Sequence, residues 1–106
     1  MQTRAFRMTL NPGQADEYRR RHDAIWPELS KALLDAGVLD YRIFLDEASN
    51  ALFAVLSHED AHGLDELPGT ELMQRWWQFM QDIMVTHPDA SPLSVTLQPM
   101  FCLTRD

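Results

Sequence analysis

A single cysteine, Cys102, stands in the whole chain of 106 residues. One thiol cannot close an internal disulfide, so no covalent framework holds the fold, and a reducing compartment suits it. Its apolar C-terminal neighbours predict a buried small hydrophobe rather than a nucleophile. Long apolar runs are missing too, and Met1-Gln2-Thr3-Arg4-Ala5-Phe6 has no apolar core of the kind that directs export. The expectation is a cytoplasmic protein with no membrane partner. Basic residues are scarce: nine Lys and Arg face sixteen Asp and Glu, for a formal net charge of −7. That balance excludes nucleic acid and anionic membrane surfaces, which need a positive field. There is no glycine loop to cradle phosphate, no G-x-S-x-G elbow and no dinucleotide fingerprint. Residue 2 is Gln2, which rules out an N-terminal proline tautomerase. The expected chemistry therefore needs no cofactor beyond what a substrate brings.

What is present reads as one α+β domain over residues 1–106, with 45% hydrophobic and 24% charged residues. Phe6 to Leu10 alternates apolar and polar, as a half-buried strand does. Asn11-Pro12 reads as an N-cap followed by proline at the first helical position, opening a helix from Pro12 to about His22. Pro27 breaks it and opens a second helix to about Ala36, which Gly37 ends. Leu39 to Leu45 is a strand with Tyr41, Ile43 and Leu45 on one face. A polar hairpin loop, Asp46 to Asn50, leads to the returning strand Leu52 to Leu56. A short helix near Asp60 to Leu67 stops at Pro68-Gly69, and Thr70 caps a longer helix to about Met84. Ser94 to Leu103 is a last strand, where Pro99 implies an edge or a bulge.

The order is βαββαβ, the ferredoxin-like plan, with helices on one face of an antiparallel sheet. Leu52-Phe53-Ala54-Val55-Leu56 is apolar throughout, so both faces of that strand want cover. Helices supply one cover. A second copy of the chain is the natural other, giving a two-fold dimer whose sheets enclose an interior into which Tyr41 points.

The candidate site begins at Tyr18 and His22, one helical turn apart and so on one face. Taken alone, such a pair is usually a structural hydrogen-bonding pair. The break before Pro27, however, places His22 where a side chain faces a cavity, and histidine titrates near neutrality at about 6.5. The helix end favours its protonated form and Arg21 opposes it. Trp76-Trp77 lie about 100° apart on their helix, so one ring takes the core and the other an edge. Aromatic faces suit the C–H faces of sugars, and indole N–H groups reach hydroxyls. Arg19-Arg20-Arg21 reads as a solvated helix edge with salt bridges. His58-Glu59-Asp60-Ala61-His62 matches the letters H-E-x-x-H, yet His58 directly follows a strand, and Asp65 and Pro68 occupy the extended pattern's later positions. It reads as a strand end and a helix start, with no metal expected; His87 receives no role.

Five separated segments then agree in order and spacing with a known family. These are Glu17 to His22 with Ile25 to Leu29, Asp40-Tyr41 leading to Leu45-Asp46, Arg75-Trp76-Trp77, Asp82-Ile83-Met84, and the loop Pro88 to Pro92. On these the chain resembles the L-rhamnose mutarotases along nearly its whole length. The resemblance implies a dimeric ferredoxin-like α/β barrel in the cytoplasm, interconverting the α and β anomers of a deoxy-sugar without a cofactor. It implies that His22 is the proton donor and that Tyr18, Tyr41, Trp76 and Trp77 bind the sugar. Departures fall at Ala90, where the family usually has asparagine, and in Ser57 to Gly69, which follows no familiar pattern. Two other classes share these residues: a cofactor-independent monooxygenase on the same barrel, and a non-catalytic dimer that binds a small ligand.

Overall fold

The computed structural model describes residues 1–105. The elements are β1 (Gln2–Thr9), α1 (Ala15–Asp23), α2 (Pro27–Asp35), β2 (Val38–Asp46), β3 (Ala51–His58), α3 (Glu71–Met80) and β4 (Val95–Leu97), with a 3-10 turn at Leu64–Gly69 before α3. The sheet order is β2-β3-β1-β4 with antiparallel neighbours throughout, which is the ferredoxin-like arrangement expected from the sequence.

Directly opposed residues share a face of an antiparallel sheet, so the register sorts the side chains. Met8, Leu52 and Leu45 line up, as do Phe6, Ala54 and Ile43, and then Arg4, Leu56 and Tyr41. On this face Met8, Leu52, Ala54 and Leu56 are buried, and Leu29, Tyr18, Trp76 and Met80 from the helices join them in the core. Fully burying one Leu or Met stabilises by about 1.5–3 kcal/mol. The opposite face carries Ala5, Arg7, Phe44, Phe53, Val55, Val95 and Leu97. There Phe44, Val55 and Val95 stay exposed, so β3 is covered on one side only within a single chain.

The helices begin and end for local reasons. Asn11-Pro12 does not start α1, as the N-cap reading expects. Gly13 sits at φ +78, a left-handed turn that no helix tolerates, and α1 starts at Ala15. Pro27 opens α2 at its first position, as expected. Thr70 accepts a bond from the Met73 N–H and caps α3. That helix stops at Met80 rather than near Met84, although Ile83 and Met84 are still buried in the turn that follows. The segment expected as a helix from Asp60 to Leu67 is a 3-10 turn that includes Pro68. The final strand is three residues long, not ten, and it pairs at the sheet edge with Ala5 to Arg7 before Pro99 ends it. Beyond it Met100, Phe101 and Leu103 are exposed, and so is Cys102, against the expectation of a buried thiol.

Gly37 shows the tightest backbone constraint. Its φ is +110, and a Cβ there would lie 3.2 Å from His62 Cβ. Its carbonyl accepts the Glu59 N–H at 2.9 Å, tying the end of α2 to the end of β3. Gly37→Ala therefore meets backbone strain and a steric contact together. It is expected to lower stability by about 1–3 kcal/mol, read from urea unfolding, with the m-value unchanged.

Candidate functional site

Asp16 and Glu17 in the first turn of α1, and Arg20, Arg21 and His22 in its last turn, complement the helix dipole. The helix turns Tyr18 to the core and carries His22 along the same stripe. The two rings stack at 4.3 Å between centroids, 27° apart. His22 Nδ1 lies 3.1 Å from the Tyr18 carbonyl oxygen. A carbonyl only accepts, so Nδ1 carries the proton and, in the neutral ring, Nε2 holds the lone pair. Among the described residues no protein group bonds Nε2. Burial lowers the His22 pKa from its ordinary 6.5, outweighing the Tyr18 carbonyl and the Asp23 charge, which both raise it. The imidazole is therefore neutral at neutral pH. The opposition expected from Arg21 is muted, because Glu17 and Asp82 take up its charge.

An aromatic wall stands against this pair. Trp76 meets His22 edge-on at 5.5 Å, and Trp26 meets Trp76 edge-on at 5.0 Å. Phe79 tilts against both tryptophans, at 5.5 Å and 5.6 Å. Tyr18 and Trp76 are buried, yet among the described residues no buried side-chain nitrogen or oxygen lacks a partner, and neither the phenol oxygen nor the indole nitrogen has one among those residues. The two polar tips are thus open while the ring bodies are packed. That is the disposition of groups that bind something.

Tyr41 lies opposite Leu56 on the helix-facing side of the sheet, with Phe6 edge-on at 6.4 Å. The expected placement in an interior between two sheets is therefore corrected: Tyr41 faces the helix layer, where Tyr18 also points. Each tyrosine is held protonated. Burial moves the Tyr41 phenol up to about 12, and burial with the nearby Tyr41 raises Tyr18 still further. Trp77 is half-buried at the core edge, as the spacing of the tryptophan pair predicts, and has no ring contact with His22. The sequence reading missed Trp26 and Phe79. Trp26 continues the four-residue stripe from Tyr18 and His22, a signal masked by the helix break that precedes Pro27.

The other marked residues lie apart. His58 ends β3, buried, with Nδ1 donating to the Glu59 carbonyl at 2.7 Å and Nε2 3.4 Å from Arg4. His62 Nδ1 accepts the Leu64 N–H at 3.2 Å. Among the described residues no three His, Cys, Asp or Glu side chains converge as metal ligands. The arginine run divides: Arg20 pairs with Glu17 in the open, whereas Arg21 is almost buried and is no solvated edge.

A four-stranded antiparallel sheet under three helices, with a desolvated histidine against an aromatic wall, defines a ferredoxin-like α+β domain. Rv0793 from Mycobacterium tuberculosis shares that fold at a TM-score of 0.60 and 14% identity, covering 96% of this chain and 97% of its own. The L-rhamnose mutarotase from Formosa agariphila matches at a TM-score of 0.92 and 42% identity, over 98% of this chain and 100% of its own. The L-rhamnose mutarotase of Burkholderia ambifaria is 56% identical over 103 residues, spanning 97% of this chain and 99% of the relative. The family model for L-rhamnose mutarotase matches residues 3–103. The chain belongs to the L-rhamnose mutarotase family.

Glu17 offers a direct test of the electrostatics around α1. Its bonds to Arg20 first and Arg21 second hold its carboxyl down to about 2 from an ordinary 4.5. A depressed carboxylate adds stability that is complete above its unfolded value and is lost as pH falls through the folded one. Wild type is thus expected to exceed Glu17→Gln in urea stability by a constant margin above about pH 4.5, and the margin closes as pH falls toward about 2.

Proposed function

We propose that the chain interconverts the α and β anomers of L-rhamnopyranose, an isomerase reaction, by proton exchange at His22. The substrate follows from what its relatives are named for. The observation that carries the chemistry is the bond from His22 Nδ1 to the Tyr18 carbonyl, which leaves Nε2 as the one exchangeable nitrogen.

Mutarotation opens a hemiacetal, turns the carbonyl and closes it on the other face. In the proposed step neutral Nε2 takes the anomeric hydroxyl proton as the bond from C1 to the ring oxygen breaks. The imidazolium so formed returns that proton to the departing ring oxygen. Both oxygens sit on one carbon in the closed ring, so one nitrogen serves both, and closure reverses each transfer. His22 is then the donor to the ring oxygen, having first been the acceptor. No electron leaves or enters, and no redox cofactor is needed.

Tyr18 and Tyr41, whose phenols stay protonated, donate hydrogen bonds that orient sugar hydroxyls. Trp76, backed by Trp26 and Phe79, forms the apolar wall, and Trp77 binds the sugar from the core edge. A positioned acid–base group supplies about 10²–10⁴-fold, which suits a reaction that already proceeds in water. A neutral sugar needs no basic clamp, in keeping with a net charge of −7.

Saturation-transfer NMR on L-rhamnose measures the exchange. The rate is expected to be flat above pH 6.5 and to fall as pH drops through the lowered His22 pKa, because the protonated ring cannot take the first proton. His22→Asn should remove both the rate and this inflection. A folded His22→Asn with full activity would refute the assignment, and oxygen uptake with an aromatic substrate in place of sugar exchange would favour the monooxygenase class.

We also propose that a second copy covers the outer sheet face, where Phe44 and Val95 are 57% and 48% exposed. Sedimentation is expected to give twice the 12.3 kDa chain mass. Phe44→Asp, which sets a charge on that apolar face beside Phe53, should shift the species to monomer.

A further inference from the structure

Next to His22 in sequence, Arg21 turns the other way and makes a set of contacts that surface arginines do not. Its Nε donates to Glu17 Oε2 at 2.7 Å, one turn back on α1. Nη1 donates to the Phe79 carbonyl at 2.6 Å and to Asp82 Oδ1 at 2.8 Å, and Nη2 donates to Asp82 Oδ2 at 3.1 Å. The guanidinium carbon lies 4.7 Å above the Phe79 ring centre. The side chain is 11% exposed, against 67% for neighbouring Arg20, which among the described residues pairs only with Glu17.

These contacts close a circuit. The Phe79 carbonyl belongs to the last turn of α3, whose final carbonyls have no partner within the helix. Arg21 satisfies one of them and grips Asp82 just beyond. The Phe79 ring packs on Trp76, and Trp76 meets His22 edge-on. His22 is thus held from two directions, through the backbone of α1 and through the aromatic wall, and both paths run through Arg21. The end of α1 needs this support, because its C-cap residue Ala24 is outside the helical conformation and the chain leaves at once for Pro27.

We propose that Arg21 is a positioning residue for His22, locking the last turn of α1 to the end of α3 so that the imidazole and Trp76 keep one mutual arrangement. The proposal rests on the mutarotase reading for its kinetic consequence, while its structural content stands apart from any substrate. A lysine keeps the charge but lacks the planar fork that spans a carboxylate and a carbonyl together. Asp82, itself 64% exposed, allows the same lock to be loosened from the solvent side.

The test measures L-rhamnose anomer exchange and the ring NMR resonances of His22 in Arg21→Gln, Arg21→Lys, Asp82→Asn and Arg20→Gln. Displacing a catalytic group by a fraction of its reach costs up to roughly 10²-fold. Arg21→Gln and Arg21→Lys are both expected to lose about 10–100-fold in kcat with a much smaller change in KM. In both, the His22 ring signals should shift and broaden. Asp82→Asn should show the same changes in weaker form, and adding it to Arg21→Gln should cost little more, as for residues acting as a unit. Arg20→Gln should match wild type.

The groups that act on the imidazole, the Tyr18 carbonyl and the Asp23 carboxylate, stay in place in both Arg21 variants. Arg21→Lys therefore separates charge from geometry, and a wild-type result for it, in rate and in ring signals, overturns the proposal. Should the Arg21 variants not fold, Asp82→Asn with unchanged kcat and unchanged His22 signals overturns it equally. If wild type exchanges no anomers, the mutarotase reading falls, and the His22 signals alone decide for or against the lock.

Discussion

An unbroken register joins β1 to β3, from Gln2 opposite His58 to Thr9 opposite Ala51, and the rest of the structure depends on it. Side chains alternate along a strand, so a slip of one residue would turn Phe53 and Val55 under the helices and Leu52, Ala54 and Leu56 out to solvent. In the observed register the smallest of these, Ala54, lies at the centre with no exposure. A methyl group there leaves depth above the sheet for large rings, and Tyr18 and Trp76 fill it from α1 and α3. The β2–β3 pairing then fixes Tyr41 on the same side, opposite Leu56. The aromatic character of the site follows from how the sheet is paired before any catalytic group is considered.

At His22 two influences oppose each other. Burial disfavours the charged ring, while the Tyr18 carbonyl and Asp23 favour it, and burial wins. The carbonyl still has a decisive effect, because it selects which nitrogen carries the hydrogen. Nearby, Arg21 brings a positive charge that would push in the same direction as burial. Its carboxylate partners absorb that charge and leave a mechanical connection behind. The proposed chemistry thus draws on a tautomer set by the backbone and on a neutral state set by desolvation.

The order of elements was legible because each depends on local patterns: alternation in β1, the proline that opens α2, the glycine that ends it, and the threonine that caps α3. The errors came where local signals permit two outcomes. Pro12 suits a first helical position, but Gly13 beside it takes a left-handed turn. Ile83 and Met84 keep the apolar rhythm of α3, yet a turn packed on the core buries them as well as a helix would. Met100 to Leu103 look like strand residues, but a strand needs a neighbour, and pairing with β1 ends at Leu97. In the site, the nearness of Tyr18 and His22 was readable from their spacing, whereas the contact of Trp76 with His22 depends on how α1 and α3 pack. The role of Arg21 was not, since its acceptors at Phe79 and Asp82 lie some 60 residues away along the chain. The side of the sheet that Tyr41 faces was equally hidden, because a register has to be known before a face can be assigned.

The perpendicular contact between Trp26 and Trp76, with ring planes 86° apart at 5.0 Å, has an optical consequence. Two indoles this close, held at a fixed angle in a chiral frame, couple their excited states and rotate polarised ultraviolet light as a pair. With Trp76 beside the histidine, that coupled band is a built-in gauge of the site's geometry. It is sensitive to small tilts of either ring and readable without any label.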